Sequence, residues 1–201
     1  DGSIFASGDF TKRDVYDLNF TSDSEITALR IEALPDDRLP GKGPGRAFYE
    51  GRNGTFFLSE VTALTKGSAI QFLKPSNHGG NGGENTIDGD GSSGWFSGGN
   101  GIEHHLVLPL KKPVPAKQPF SISMLFERHF VASFGRFRIS ASSSTEPIKP
   151  MHLGSKVEDL IAKDNRASQE TEFLKQVYLE KVFLLQKENN QLFGPSSRWI
   201  W

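Results

Sequence analysis

The residues best suited to chemistry lie in a glycine-rich segment, 77–101, in which ten of the 25 residues are glycine. Its centre, 85–95, places Asn85, Asp88 and Asp90 among glycines and serines. Short carboxylate and amide side chains between glycines bring oxygen atoms close together, which suits a hard cation such as Ca²⁺. The spacing is not that of an EF-hand, because Gly99 stands where the loop would need Glu. The alternative is a set of turns in which these side chains bind their own backbone.

Glu103-His104-His105 is the one cluster with the residue types of a catalytic or metal site. The same run predicts a β-strand, in which adjacent side chains point to opposite faces. His104 and His105 therefore cannot both bind one metal ion unless a β-bulge interrupts the strand. Partly exposed strand histidines are the alternative, and the sequence has no nucleophile elbow and no His-Glu-x-x-His motif. We predict no catalytic residues.

Composition excludes several classes of function. Cysteine is absent, so zinc ribbons, iron–sulfur clusters, thiol nucleophiles and covalently attached haem are excluded within this chain. With 23 basic and 24 acidic residues the net charge is −1, which argues against nucleic-acid binding through a basic surface. No apolar run approaches the length of a membrane-spanning helix, so we expect no membrane span.

Seven short segments show the period-two alternation of half-buried antiparallel strands. They are 15–20, 26–34, 56–64, 69–73, 104–110, 120–126 and 134–141. Glycine and proline mark turns, and 1–150 holds 19 of the 21 glycines and 10 of the 11 prolines. The pattern predicts a mainly β protein, with an antiparallel β-sandwich or jelly roll over 1–145.

Residues 146–201 predict a linker and a helical tail. Ser155 and Glu158 fit a capping box at the start of a first helix. A second helix is predicted to begin at Ser168 and to stop at Gly194-Pro195. We expect this two-helix tail to pack on the sandwich, to bridge to a neighbouring domain or to bind a partner.

Arginines form a second polar group. Arg136 and Arg138 share one side of the predicted strand 134–141, and Arg128 lies shortly before it. Such a stripe would suit an anionic sugar. The alternative is cross-strand ion pairing. The acidic partners available for it are Glu32, Glu60 and Glu127.

Two sets of motifs resemble known families. Thr86-Ile87-Asp88-Gly89-Asp90, followed by Gly94-Trp95, resembles a segment of discoidin-type, galactose-binding-like β-sandwich domains. A domain of large planctomycete multidomain proteins of unknown function, which also carry a cytochrome-c-type domain, is similar over most of 1–150. The similar segments are 1–8, 26–36, 39–46, 53–60 and 135–140. The most specific is 39–46, Leu-Pro-Gly-Lys-Gly-Pro-Gly-Arg.

The resemblance implies a secreted or periplasmic module with a galactose-binding-like jelly roll that binds carbohydrate. It also implies a structural calcium ion. Asp88 is then the first candidate ligand, with Asp90 and Asn85 next. The haem of the wider family is not expected in this chain, because cysteine is missing.

Sugar binding requires a planar apolar surface for the pyranose ring and polar groups for its hydroxyls. Trp95 and Phe96 are candidates for that surface, and a second loop offers Phe48, Tyr49 and Arg52. The polar candidates are Asn77, His78, Asn81, Asn100, Glu103 and His104. On the alternative that Trp95 belongs to the core, the second loop is the better candidate.

These observations predict a non-catalytic carbohydrate-binding module of a secreted multidomain protein. Its expected partners are a poly- or oligosaccharide and the neighbouring domains of the same protein. The alternative is a structural or interaction module whose helical tail docks a neighbouring domain and which has no ligand of its own.

Overall fold

The structure is a computed structural model of the chain. The described residues are 1–48, 52–97, 99, 101–145, 148, 150, 157, 160, 161 and 163–179. Contacts divide the chain into two compact units, Asp1–His152 and Leu153–Trp201. Strands dominate the first unit, so the predicted mainly β class is confirmed.

Eleven strands, all paired antiparallel, form three sheets in the described part of the first unit. They are β1 (Ile4–Phe5), β2 (Asp14–Phe20), β3 (Ile26–Ala33), β4 (Phe57–Leu58), β5 (Glu60–Thr65), β6 (Ser68–Ala69), β7 (Ser76–His78), β8 (Trp95–Phe96), β9 (His104–Val114), β10 (Phe120–Phe126) and β11 (Arg136–Ser142). One sheet has the order β1-β11-β3-β9-β7 and a second the order β2-β10-β5-β6, while β4 and β8 form a two-stranded ribbon. Short 3-10 helices span Pro40–Lys42 and Gly83–Ile87.

The longer strands lie where the alternation of side chains predicts them. β10 matches the predicted segment 120–126, and β2 and β3 each differ from prediction by one residue. β9 runs beyond the predicted 104–110 because an irregularity between Ile26 and Ala28 in β3 brings Val114 opposite Ile26. Period-two patterning therefore located these strands, whereas the irregularity that lengthens β9 leaves no such pattern.

The segment 56–64, predicted as one strand, forms two strands that belong to different sheets. β4 pairs with β8, whereas β5 pairs with β10. Ser59 lies between them, and its backbone N–H donates to the carbonyl of Leu125 (2.8 Å). Alternation cannot show this change of partner, because the chain stays close to extended on both sides of it. The change places β8, at the end of the glycine-rich segment, next to the start of β5.

One hydrophobic core receives side chains from both larger sheets and from the ribbon. Ile31 and Leu106 come from the first sheet, Ile122 and Met124 from the second, and Trp95 from β8. None of these five side chains has exposed surface. Burial of such side chains contributes on the order of 1.5–3 kcal/mol each relative to exposure. The core therefore holds the ribbon, and with it the end of the glycine-rich segment, in place.

In the second unit, residues 168–179 are helical, and the start at Ser168 is the predicted one. The Glu170 carboxylate accepts the Ala167 N–H (2.8 Å) and pairs with Lys163 (2.8 Å), which caps the first turn. The predicted capping box at Ser155 and the tail beyond 179 lie outside the described residues. No helix among the described residues is long and apolar enough to cross a membrane.

Candidate functional site

A cleft of about 510 Å³ opens beside the β4–β8 ribbon. One side comes from 92–94 in the glycine-rich segment, and the other from 128–132 in the connection between β10 and β11. The lining residues are Thr55, Phe56, Phe57, Asn85, Ser92, Ser93, Gly94, Phe96, Ser97, Arg128, His129 and Ala132. These residues provide aromatic, hydroxyl, amide and cationic side chains, and no carboxylate.

Two phenylalanine rings give the cleft a flat apolar surface. Phe57 in β4 and Phe96 in β8 are direct cross-strand neighbours, so their side chains lie on the same face of the ribbon. Their ring planes differ by 4°, and the ring centroids are 6.3 Å apart. Phe96 is 42% exposed, whereas Phe57 is buried. An exposed aromatic face of this kind can stack against the apolar face of a sugar ring.

The connection between β10 and β11 supplies the cationic side of the cleft. The Cζ of Arg128 lies 5.6 Å from the centroid of the Phe57 ring, within cation–π distance. The same guanidinium donates to the Ser92 carbonyl and so links the two sides of the cleft. The His129 imidazole meets Phe57 edge-on, with ring centroids 5.2 Å apart. Both Arg128 and His129 are exposed and can reach a ligand.

This connection contains a strained backbone position. Val131 has a φ of 58°, in the left-handed region that β-branched residues avoid. Its side chain is buried, and its N–H donates to the Thr11 carbonyl (3.2 Å). Strain of this kind costs on the order of 1–3 kcal/mol and persists only where packing enforces it. Packing therefore fixes the backbone that carries Arg128 and His129.

Asn77 holds the glycine-rich segment in shape. Its Nδ2 donates to the carbonyls of Gly79 (3.1 Å) and of the next residue (3.2 Å), and its Oδ1 accepts the Gly83 N–H (3.2 Å). Asn77 is therefore a positioning residue and not a ligand donor.

Gly94 holds the end of the same segment close to β4. At Gly94, where φ is +155°, a Cβ would lie 2.2 Å from the Leu58 carbonyl oxygen, so only glycine fits there.

Trp95 lies in the core and not on the cleft surface. Its side chain has no exposed surface and packs edge-on against Phe56, with ring centroids 4.8 Å apart. The indole Nε1 donates to the Gly79 carbonyl (3.0 Å). A ring without an exposed face cannot stack on a sugar. The structure therefore removes Trp95 from the predicted ligand surface and agrees with the alternative that it belongs to the core.

The two strand histidines are buried as well. His104 has no exposed surface, and its Nδ1 lies 3.0 Å from the Ile102 carbonyl oxygen. His105 is 1% exposed, and its Nε2 lies 3.6 Å from the Glu103 carboxylate and 4.0 Å from that of Glu32. The expectation of partly exposed histidines is wrong here. His104 cannot donate to a sugar at the surface.

The Asp88 and Asp90 carboxylates bind their own loop. Asp88 accepts hydrogen bonds from the Asp90 N–H (2.8 Å) and the Ser93 hydroxyl (2.7 Å), and Asp90 accepts them from the N–H (2.9 Å) and hydroxyl (2.7 Å) of Ser92. The Ser93 hydroxyl lowers the pKa of Asp88, and the Ser92 hydroxyl lowers the pKa of Asp90. Asn85 lines the cleft instead.

The serine and backbone hydrogen bonds of the Asp88 and Asp90 carboxylates lie within their own loop. Among the described residues, no group of three or more His, Cys, Asp or Glu side chains is placed to hold a metal ion. The carboxylate hydrogen bonds match the alternative of self-satisfied turns. Calcium binding by Asp88, Asp90 and Asn85 stays a prediction.

Glu60 is a titratable neighbour of this loop that sequence reasoning missed. Its Oε1 accepts the Gly89 N–H (2.9 Å), and its carboxyl group shares a hydrogen bond with Asp88. Burial, together with this contact between two acids, raises the pKa of Glu60 to about 7. From the sequence, Glu60 was predicted only as a possible partner of an arginine. Its neighbours in the chain give no sign that it contacts the glycine-rich segment, which is distant in sequence.

The second predicted ligand loop approaches the glycine-rich segment. Phe48 is 45% exposed and packs edge-on against Phe10, with ring centroids 5.0 Å apart. Arg52 is exposed, and its Nη1 lies 4.0 Å from the position that a Cβ on Gly99 would take. Tyr49 lies outside the described residues.

Two predicted polar ligands are exposed but do not line the cleft. His78 is in β7, with its ring centroid 6.4 Å from that of His105. Asn81 pairs through its backbone with Phe96, with N–H to carbonyl distances of 3.1 Å in both directions, and is therefore a cross-strand neighbour of the exposed ring. Asn100 lies outside the described residues.

The arginines of β11 pair with acids. Arg138 donates through Nε and Nη2 to the two carboxylate oxygens of Glu32, each at 2.8 Å. Burial would raise the pKa of Glu32, but the Arg138 hydrogen bonds and the charge of Arg30 hold it below its ordinary value. Arg136 pairs with Asp1. The cross-strand alternative is confirmed for Arg138, and both β11 arginines leave the candidate ligand set.

Comparisons with protein-family models, with curated proteins and with solved structures find no match for this chain. The cleft and its side chains are therefore the main support for a function.

Proposed function

We propose that this chain is a non-catalytic carbohydrate-binding module. The observation that carries the proposal is the exposed Phe96 ring, parallel to Phe57, in a cleft of about 510 Å³. This volume falls within the roughly 300–1,000 Å³ of typical small-molecule sites. Apolar surface and polar groups occur together in the cleft, which is what an amphipathic pyranose ring requires.

The polar lining suits sugar hydroxyls, each of which both donates and accepts hydrogen bonds. Asn85 offers an amide donor and acceptor, the serines offer hydroxyls, and Arg128 offers planar N–H donors. The described residues that line the cleft include no carboxylate, so the paired carboxylates of glycoside hydrolysis are missing from it. This favours binding without turnover.

The proposal is tested by affinity electrophoresis in gels containing plant, algal and bacterial polysaccharides, followed by titration with the retained sugar. Phe96→Ala is expected to weaken binding about tenfold, because it removes the exposed stacking face. Phe5→Ala is the matched control, since Phe5 is a 37% exposed phenylalanine outside the cleft lining. Folded protein that no polysaccharide retards, or equal binding by Phe96→Ala and the parent, would refute the proposal.

We further propose that the two larger sheets stack as a sandwich with galactose-binding-like, jelly-roll connectivity. The support is the single core to which both sheets contribute, together with the resemblance in 1–150. A secreted or periplasmic location is proposed on the same resemblance.

A second candidate function is an interaction module whose tail binds a neighbouring domain. The helix 168–179 leaves two consecutive large side chains exposed, Tyr178 (68%) and Leu179 (63%). Sedimentation of the full chain with the adjoining domain, before and after replacing both residues by serine, tests this candidate. Unchanged association after the replacement would exclude these side chains as the contact.

A further inference from the structure

We infer that the cleft selects anionic carbohydrate, carboxylated or sulfated, over neutral carbohydrate. The inference rests on the proposed function and specifies the class of sugar that the same cleft takes. It is carried by the position and partners of two arginines, Arg128 and Arg52.

The charges around the cleft are unevenly placed. Arg128 lines the cleft, whereas none of the described lining residues is acidic. The nearby Asp88 and Asp90 carboxylates accept hydrogen bonds from hydroxyl and N–H donors of their own loop, and the hydrogen bonds from Ser92 together with the charge of Arg128 lower the pKa of Asp90. Glu127, next to Arg128 in the chain, forms an ion pair with Arg13 (3.0 Å). Arg128 is therefore the charged side chain of the cleft lining, whereas Asp88, Asp90 and Glu127 lie outside that lining.

Arg128 is oriented before any ligand binds. Its guanidinium lies over the Phe57 ring and donates to the Ser92 carbonyl. That contact uses one of the five N–H donors and leaves the others for a ligand. A planar guanidinium matches the two oxygens of a carboxylate or sulfate, and an already oriented one loses less conformational entropy on binding.

Arg52 supplies a second positive charge at the glycine-rich segment. It is exposed and reaches towards Gly99, three residues after the cleft-lining Phe96. Its side chain has no carboxylate partner among the residues that the structure describes. A chain of sugars that stacks on Phe96 could therefore present one acidic group to Arg128 and another to Arg52.

The experiment compares three oligosaccharides of equal length by calorimetry: oligogalacturonate, sulfated galacto-oligosaccharide and the neutral galacto-oligosaccharide. We expect at least one anionic member to bind about tenfold or more tightly than the neutral one at low salt, with the difference shrinking as salt is added. Arg128→Gln should remove about tenfold of that affinity, and Arg52→Gln a smaller part. Lys112→Gln, an exposed cation outside the cleft lining, is the control and should bind like the parent.

The outcomes separate this inference from the proposed function. Equal binding of charged and neutral sugars, lost on Phe96→Ala but kept on Arg128→Gln, overturns the inference and leaves carbohydrate binding intact. If the anionic sugars bind equally well to the parent, Phe96→Ala and Arg128→Gln, they bind at another part of the surface, and the inference is also overturned. Failure of all three sugars and of every polysaccharide gel overturns both. The preferred anion, carboxylate or sulfate, is given by which of the two charged sugars binds more tightly.

Discussion

Glu60→Gln tests the contact between β5 and the glycine-rich segment. The pKa of Glu60 is about 7 in the folded protein, against an ordinary value of 4.5. Between these values the folded protein keeps a proton that the unfolded chain releases. The free energy of unfolding is therefore expected to fall as pH rises through this window. If solvent did not screen Glu60, the free energy of unfolding would fall by roughly 3 kcal/mol across this window. Because the Glu60 side chain is partly exposed, we expect the free energy of unfolding to fall by about 1 kcal/mol.

Glutamine reproduces the protonated carboxyl at every pH, since its amide can accept the Gly89 N–H and donate to Asp88. Urea unfolding followed by circular dichroism, at several pH values from about 5 to about 7.5, gives the difference between parent and variant. Groups that titrate in both proteins largely cancel in this difference. We expect the parent to lose about 1 kcal/mol relative to Glu60→Gln, or about 2–4 °C in thermal midpoint. Parallel pH profiles would refute the assigned proton.

Four further results are expected. Trp95→Ala should lower the free energy of unfolding by about 3–5 kcal/mol in urea, because it empties a core position; a loss under about 1 kcal/mol would contradict its burial. Gly94→Ala should lower the thermal midpoint, since its Cβ meets the Leu58 carbonyl; an unchanged midpoint would contradict that backbone geometry. Arg138→Met should lower the free energy of unfolding by about 3–5 kcal/mol at neutral pH, because it leaves the buried Glu32 carboxylate without its main partner. The loss should be smaller in acid, where Glu32 is protonated, and a loss that does not depend on pH would contradict the ion pair. If Asp88, Asp90 and Asn85 hold a calcium ion as predicted, EDTA should lower the thermal midpoint and added Ca²⁺ should restore it; an unchanged melting curve would contradict the calcium site.

The longer strands were predictable because each follows from a local property, the alternation of side chains. The short strands β1, β7 and β8 were not predicted, and only Ala69 of the predicted segment 69–73 lies in a strand. β10 begins and ends where its pattern does. The pairing partner was not local, so the division of 56–64 between two sheets left no trace in the pattern. Burial of His104 and Trp95 also depends on which distant side chains pack over them. Both side chains are buried in the core although each has a polar group.

The candidate site was predictable only in part. Phe96 and Trp95 were both selected as planar aromatic residues of the glycine-rich segment, and the structure leaves Phe96 exposed but buries Trp95. Phe57 was predicted only as a strand residue, and His129 was not among the predicted ligands. Both join Phe96 only because β4 pairs with β8 and the connection after β10 folds back over the ribbon. Such convergence of distant segments has no signature at any single position.

The most direct test of the central claim is a nuclear magnetic resonance titration of the folded, isotope-labelled chain with an oligosaccharide retained in the gel assay. If the sugar binds in the cleft, the largest chemical-shift changes will fall on Phe57, Ser92, Phe96 and His129, and these changes will saturate together with one affinity. Changes centred on another surface, such as the face of β11, or no change at saturating sugar, would contradict the central claim.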